Sequence, residues 1–163
     1  MIQHNGKLRN MASLYIRKGD QILLLFRQGQ SIVSNMWIGS AGGHFEENEI
    51  NNAQACVLRE LKEELGLTVD SLKNISLRYI TLRYTDAEIR QNYYFFAELN
   101  DGVDMNLSSS EGIACWHHID KLTELIMPFT AHHMIDHYLK AGQFDATLYG
   151  GLANTKTVLF KKL

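Results

Sequence analysis

This sequence of 163 residues contains little cysteine and almost no proline. The two cysteines, Cys56 and Cys115, lie far apart in sequence, and such a pattern argues against a disulfide framework or a cysteine-based zinc site. The single proline, Pro128, leaves the chain without a proline-rich linker. We therefore predict one domain over residues 1–163, which is long enough to bury a hydrophobic core without disulfides or structural metals.

The sequence also lacks an excess of charge and a long apolar run. Its net charge is −2 with histidines neutral, so it offers no basic surface for a nucleic-acid polymer. No segment approaches the length of a membrane span, and the N-terminal residues do not resemble a signal peptide. We therefore expect a cytoplasmic protein without membrane contact. Small phosphorylated ligands remain compatible with this charge, because a bound metal can neutralise them.

Hydrophobic patterning predicts a chain dominated by strands, with well-separated helices. The predicted strands cover residues 12–18, 21–27, 74–84, 89–98 and 113–118, with a last strand in the tail that includes Tyr149 and residues 157–160. The predicted helices cover residues 51–65, about 120–126 and about 129–141. This pattern predicts the α/β or α+β class, with a mixed sheet between helices.

The helix predicted over residues 51–65 has a buried stripe and an acidic side. Ala53, Val57, Leu61 and Leu65 recur at helical spacing, and Gly66 can adopt the left-handed conformation that ends a helix. Away from this stripe lie three closely spaced glutamates, which are Glu60, Glu63 and Glu64. Such a cluster is either a solvated acidic face or a set of hard oxygen ligands for Mg²⁺ or Mn²⁺.

The residues before this helix favour the second interpretation. Gly42 and Gly43 allow close approach of the backbone, Trp37 precedes them, and an acidic loop follows. Together with the helix, this order resembles the box of the Nudix hydrolase family (MutT-like), GX5EX7REUXEEXGU, where U is a bulky aliphatic residue. Gly43, Glu49 and the run from Arg59 to Leu67 supply the matching positions. The resemblance extends from about Met11 to about Leu139 and implies the family's α/β/α sandwich.

The resemblance also implies a role for each site residue. Glu60, Glu63 and Glu64 would hold the metal, Mg²⁺ or Mn²⁺, and the carbonyl of Gly42 or Gly43 would complete the site. Arg59 would orient the cluster by pairing with the loop glutamate. Glu111 matches the location of a further ligand or base, although a solvated loop carboxylate explains it equally well. Glu60 is the first candidate for ligand and general base together.

The implied activity is that of a pyrophosphatase, a metal-dependent hydrolase that cleaves the diphosphate linkage of a nucleoside diphosphate derivative. Nucleoside triphosphates and oxidised nucleotides are the default substrates, so the expected partner is a small-molecule nucleotide; a homodimer is also considered. The alternative is a non-catalytic Nudix-fold module that binds nucleotides, but such modules usually lose the helical glutamates. Trp37 and Tyr84 are candidate substrate contacts, although packing roles are ordinary for both.

The chain departs from the family box at one point. Nine residues, instead of seven, separate Glu49 from Arg59. Because loops absorb insertions at small entropic cost, we interpret the difference as a two-residue insertion before the helix. We expect the extra residues to bulge out between Glu49 and about Ala53, with Glu49 still paired with Arg59 and Asn51 capping the helix.

Overall fold

The computed structural model describes residues 6–29 and 34–163, which contain a nine-stranded mixed sheet. Its strands are β1 (Lys7–Lys18), β2 (Gln21–Arg27), β3 (Met36–Ile38), β4 (Ala41–His44), β5 (Leu72–Thr85), β6 (Glu88–Leu99), β7 (Ile113–His118), β8 (Tyr149–Ala153) and β9 (Val158–Lys162). The α-helices are α1 (Ala53–Leu65) and α2 (Phe129–Lys140). Short 3-10 helices cover Glu47–Glu49, Val69–Ser71, Ile119–Glu124 and Gly142–Phe144.

Strand β1 organises the sheet because it changes partner along its length. It pairs in parallel with β6 along almost its whole length, while its other edge pairs with β4 near Ala12 and with β2 near Arg17. The main order is β3-β2-β1-β6-β5-β8-β9, and β7 pairs with β2. Because one edge of β1 pairs with both β2 and β4, the glycines of β4 lie beside the middle of the sheet.

The two faces of the sheet carry separate hydrophobic cores. Successive side chains of a strand point to opposite faces, so Leu14 and Ile16 pack towards α1, whereas Tyr15 packs towards α2. On β6, Phe95 packs towards α1 and Phe96 packs towards α2. The result is a mixed sheet between helices, which confirms the predicted fold class.

Local hydrogen bonds and backbone conformation explain where α1 begins and ends. The Asn52 side chain accepts a hydrogen bond from the Ala55 N–H at 3.1 Å, which satisfies one of the free donors of the first turn. At the other end Gly66 has φ 68°, and its N–H donates to the Lys62 carbonyl at 3.0 Å. Gly66 therefore ends the helix as predicted. The predicted start at Asn51 and the predicted capping role of Asn51 are both wrong: Asn51 has φ 72°, a left-handed conformation that no helical residue adopts, and Asn52 is the cap.

Other strand and helix boundaries differ from the predicted ones where hydrogen bonding to residues distant in sequence determines them. Strands β2 and β7 have the predicted bounds, but β1 begins at Lys7 because its parallel ladder continues to Glu88 of β6. The predicted helix near 120–126 is a 3-10 helix. The tail forms a hairpin of β8 and β9. None of the helices in the described ranges combines the length and apolarity that crossing a bilayer requires.

We predict that Asn52→Ala lowers the free energy of unfolding by about 1 kcal/mol, because it removes the N-cap hydrogen bond. Asn51→Gly is the matched control: it keeps the left-handed backbone accessible and should change stability by less than about 0.5 kcal/mol. Urea denaturation of both variants measures the difference. A larger loss for Asn51→Gly than for Asn52→Ala would contradict this assignment of the cap.

Candidate active site

Two glycines of β4 leave room for their neighbours: Gly43 for the Glu60 carboxylate of the acidic helix, and Gly42 for the backbone of β1. A Cβ atom on Gly43 would collide with the Glu60 carboxylate, and one on Gly42 would lie 2.5 Å from the Ala12 carbonyl oxygen. Neither glycine has a positive φ, so the requirement is space and not backbone conformation. The expected close approach of the backbone at this pair is confirmed.

The three glutamates of α1 share one side of the helix, since residues three and four apart lie above one another. The Gly42 N–H donates to Glu64 Oε2 at 3.2 Å, which ties the last of them to β4. The Glu60 side chain is only 13% exposed, whereas that of Glu63 is 57% exposed. The cluster therefore runs from the helix–sheet interface to solvent.

Arg59 connects this cluster to the loop before the helix. Its Nε and Nη2 lie 2.6 and 3.1 Å from the two carboxylate oxygens of Glu49, a bidentate pair. Its Nη1 contacts Glu60 Oε1 at 2.7 Å and Glu63 Oε2 at 3.0 Å. Nη2 also donates to the His44 carbonyl at 3.1 Å. One guanidinium thus orients three carboxylates and the end of β4.

Glu49 is buried and ionised. The hydrogen bonds from Arg59 lower its pKa from an ordinary 4.5 to about 2, against the opposing effect of burial. The Glu46 N–H, at 2.9 Å from Glu49 Oε2, contributes in the same direction. The predicted pairing of Glu49 with Arg59 is confirmed. The extra loop residues project outward, since Ile50 and Asn51 are both exposed.

Glu64 has the opposite electrostatic environment. Burial and the neighbouring charge of Glu60 raise its pKa to about 8, and Glu111 adds to the increase. The Gly42 N–H and Arg27 act against the increase. Glu111 and Arg27 contact one another at 3.3 Å, and the charge of each affects the pKa of Glu64. Nothing in the sequence pattern singled out Arg27, which stands at the end of an ordinary buried strand.

The loop that carries Glu111 is fixed to the end of α1. The Ser110 N–H donates to the Glu64 carbonyl at 3.1 Å, and the Ser110 hydroxyl lies 3.4 Å from the Glu63 carbonyl. These bonds use carbonyls that the last helical turn leaves without a partner. These bonds hold the loop of Glu111 near the end of the acidic cluster, and a ligand role for Glu111 stays a prediction.

The donor chemistry fits a hard divalent cation, although the side chains are not gathered around one point. Carboxylate and backbone carbonyl oxygens are the ligands that Mg²⁺ and Mn²⁺ prefer. Within residues 6–29 and 34–163, no three His, Cys, Asp or Glu side chains lie close enough together to hold a metal. Glu60 and Glu63 point to Arg59 instead. Holding a cation therefore requires rotation of side chains, for which the exposed Glu63 has room.

The two candidate substrate contacts lie away from this cluster. Trp37 packs on Phe26 and His117, with ring centroids 5.1 and 4.3 Å apart, and belongs to the α2-side core. Tyr84 is exposed near the end of β5, which is three strands away from β4 along the path β4-β1-β6-β5. The structure brings neither residue to the glutamates, so their contact with substrate stays a prediction.

Comparison with known proteins identifies the family. The sequence profile of the NUDIX domain matches residues 7–138, so the chain belongs to the Nudix family, as the resemblance implied. At the level of the family it is a Nudix hydrolase. No protein in a curated collection of sequences matches the chain.

Solved structures share its fold. The MutT protein of Bacillus halodurans has a TM-score of 0.63 at 21% identity, covering 94% of this chain and 97% of that one. The MutT protein of Methanosarcina mazei has a TM-score of 0.67 at 17% identity, with coverages of 85% and 98%. An Ap4A hydrolase of Caenorhabditis elegans has a TM-score of 0.61 at 20% identity, with coverages of 83% and 98%. At these identities the similarity supports the fold alone.

We predict that the Glu49–Arg59 pair makes stability depend on pH in acid. Because the folded pKa of Glu49 is about 2 and its ordinary value is 4.5, the stabilisation is complete above pH 4.5 and is lost as the pH falls towards 2. Its size is on the order of 3 kcal/mol. Urea denaturation across this pH range should show that Glu49→Gln removes most of this dependence. Glu47→Gln, at an exposed neighbour, should keep it. Equal pH profiles for Glu49→Gln and the wild type would contradict the assignment.

Proposed function

We propose that this protein is a metal-dependent hydrolase that cleaves the diphosphate linkage of a nucleoside diphosphate derivative. Family membership supports action on small nucleotides. The observation that carries the proposal is the placement of Glu60, Glu63 and Glu64 on one side of α1, against the glycine pair of β4. A diphosphate is repelled by such a cluster unless a cation lies between them.

The cation site that we propose is made of oxygen atoms. Glu60, Glu63 and Glu64 would hold Mg²⁺ (or Mn²⁺), with the carbonyl of Gly42 or Gly43 and the carboxylate of Glu111 as further ligands. When bound, the metal neutralises phosphate oxygens and lowers the pKa of a coordinated water. Gly43 supports this arrangement, because only a residue without a side chain leaves room for the Glu60 carboxylate beside the strand.

Side chains of the protein would serve as the general base and as positioning residues. Glu60 is the proposed general base, since a carboxylate beside the attacking water can accept its proton. Arg59 is a positioning residue: it holds Glu60 at 2.7 Å while Glu49 anchors it from the other side. Arg27 restrains Glu111 at 3.3 Å. Positioning of this kind matters because displacements of about 1 Å can cost about 100-fold in rate.

The preferred substrates are nucleoside triphosphates and oxidised nucleotides. The C. elegans structural neighbour is named for hydrolysis of Ap4A, which is compatible with a nucleotide substrate for this fold. We further propose that residues 1–163 form one domain located in the cytoplasm, that no nucleic-acid polymer is bound, and that Trp37 and Tyr84 contact the substrate.

We predict that Glu60→Gln lowers turnover by at least about 100-fold, because it removes a proton acceptor and a charged ligand while keeping the shape of the side chain. Lys62→Gln is the matched control: it lies on the same helix outside the acidic cluster and should keep most of the rate. Release of pyrophosphate from nucleoside triphosphates in Mg²⁺, detected as phosphate after conversion by an added inorganic pyrophosphatase, measures both, with urea denaturation to show that both variants fold. A rate for Glu60→Gln close to that of the wild type would remove Glu60 from the mechanism.

A further inference from the structure

Apolar side chains cross the sheet in two rows on the face that α1 only partly covers. Strand register places Leu8, Ile89 and Tyr84 side by side on β1, β6 and β5. A second row, two residues away along β5, contains Leu82, Leu152 and Leu159 on β5, β8 and β9. Side chains at neighbouring register positions point to the same face, so these residues form one continuous surface.

A third row extends this surface towards the chain's last residue. Ile80 of β5 is next to Gly150 of β8, which is next to Lys161 of β9. A Cβ on Gly150 would lie 3.0 Å from a methyl group of Leu163, so the absence of a side chain lets Leu163 lie over the strand. Ile80 also pairs with Tyr93, which packs against the α1-side core. The rows therefore lie on the α1 side of the sheet.

This apolar surface is exposed in the single chain. Its large hydrophobic side chains are between 38% and 73% exposed: Leu8, Leu82, Tyr84, Ile89, Leu152, Leu159 and Leu163. Together they present on the order of 700 Å², above the roughly 300–600 Å² of the largest apolar patch on a typical monomer. The match to the Nudix family ends at residue 138, so the β8–β9 hairpin, which contributes Leu152 and Leu159 to the surface, lies beyond it.

We propose that a second copy of this chain packs on this surface to form a two-fold dimer. A two-fold axis brings the same patch of both subunits together, and the two patches would bury on the order of 1,400 Å², within the range of stable interfaces. Lys161 carries the single charged side chain in the three rows, all of which belong to the described part of the chain. Low charge at the centre is typical of interfaces between proteins and does not suit an acidic, basic or nucleic-acid partner.

The proposed dimer leaves the acidic cluster accessible. Glu60 and Glu64 face β4, which lies on the opposite edge of β1 from β6, whereas the apolar surface is centred on β5, β8 and β9. Association and hydrolysis can therefore be tested separately, and the dimer does not depend on the proposed function.

The oligomeric state in solution tests this proposal. Sedimentation equilibrium of the full chain, from micromolar to millimolar concentration, should give a mass near twice the 18.6 kDa of one chain. The double variant Leu152→Glu, Leu159→Glu should raise the dissociation constant of the dimer by at least about 100-fold. Phe144→Glu is the matched control, because Phe144 is also an exposed apolar residue but lies outside the rows. It should associate like the wild type.

Three results would overturn the proposal: a monomeric wild type at all concentrations, a double variant that associates like the wild type, or a control that dissociates as much as the double variant. Thermal unfolding establishes that each variant is folded. If the charged variant fails to fold, Leu152→Ser with Leu159→Ser replaces it in the same measurement, since serine removes the apolar surface without adding charge.

Discussion

A buried bidentate ion pair between Arg59 and Glu49 holds the acidic helix against the loop that leads into it. Burying two charges is costly unless their remaining hydrogen bonds are satisfied. Here the Glu46 N–H donates a further hydrogen bond to the Glu49 carboxylate, and the His44 carbonyl accepts a hydrogen bond from the Arg59 guanidinium. The pair therefore fixes the loop, the end of β4 and the orientation of Glu60 at once. Removing Arg59 would leave Glu49 as an unpaired buried charge, which typically costs 3–5 kcal/mol.

The second constraint is steric and comes from the sheet. Because β1 exchanges β2 for β4 along one edge, the glycines of β4 lie directly under the helix, where Gly43 leaves space for Glu60. The Gly42 N–H binds Glu64, and the Glu111 loop is bonded to the last carbonyls of α1. Carboxylates from two separate segments are thereby brought near one another. This convergence is what a cation bound between protein and diphosphate would need.

The features that were predicted correctly from the sequence are those that local chemistry decides. The helical spacing of apolar residues predicted the buried stripe of α1, and Gly66 predicted where the helix ends. Because Arg59 needs a charged partner, its pairing with Glu49 was predicted despite the lengthened loop. The features that were missed depend on distant contacts. The first residues of β1 are strand because β6 pairs with them, Arg27 contacts Glu111 only in the folded chain, and β8 is positioned by β5. Asn51 and Asn52 are chemically equivalent caps, and only the left-handed backbone of Asn51 decides between them.

The most direct test of metal-dependent hydrolysis is whether turnover requires a divalent cation. The wild-type protein would be incubated with a panel of nucleoside triphosphates, oxidised nucleotides and nucleotide sugars, in Mg²⁺ and in a chelator, with chromatographic detection of the nucleoside monophosphate products. We predict hydrolysis of at least one substrate class in Mg²⁺ and its loss in the chelator. We also predict a higher melting temperature in saturating Mg²⁺, because a cation that binds the folded state stabilises it. Turnover that persists in the chelator, or nucleotide binding without hydrolysis of any member of the panel, would contradict the proposed function.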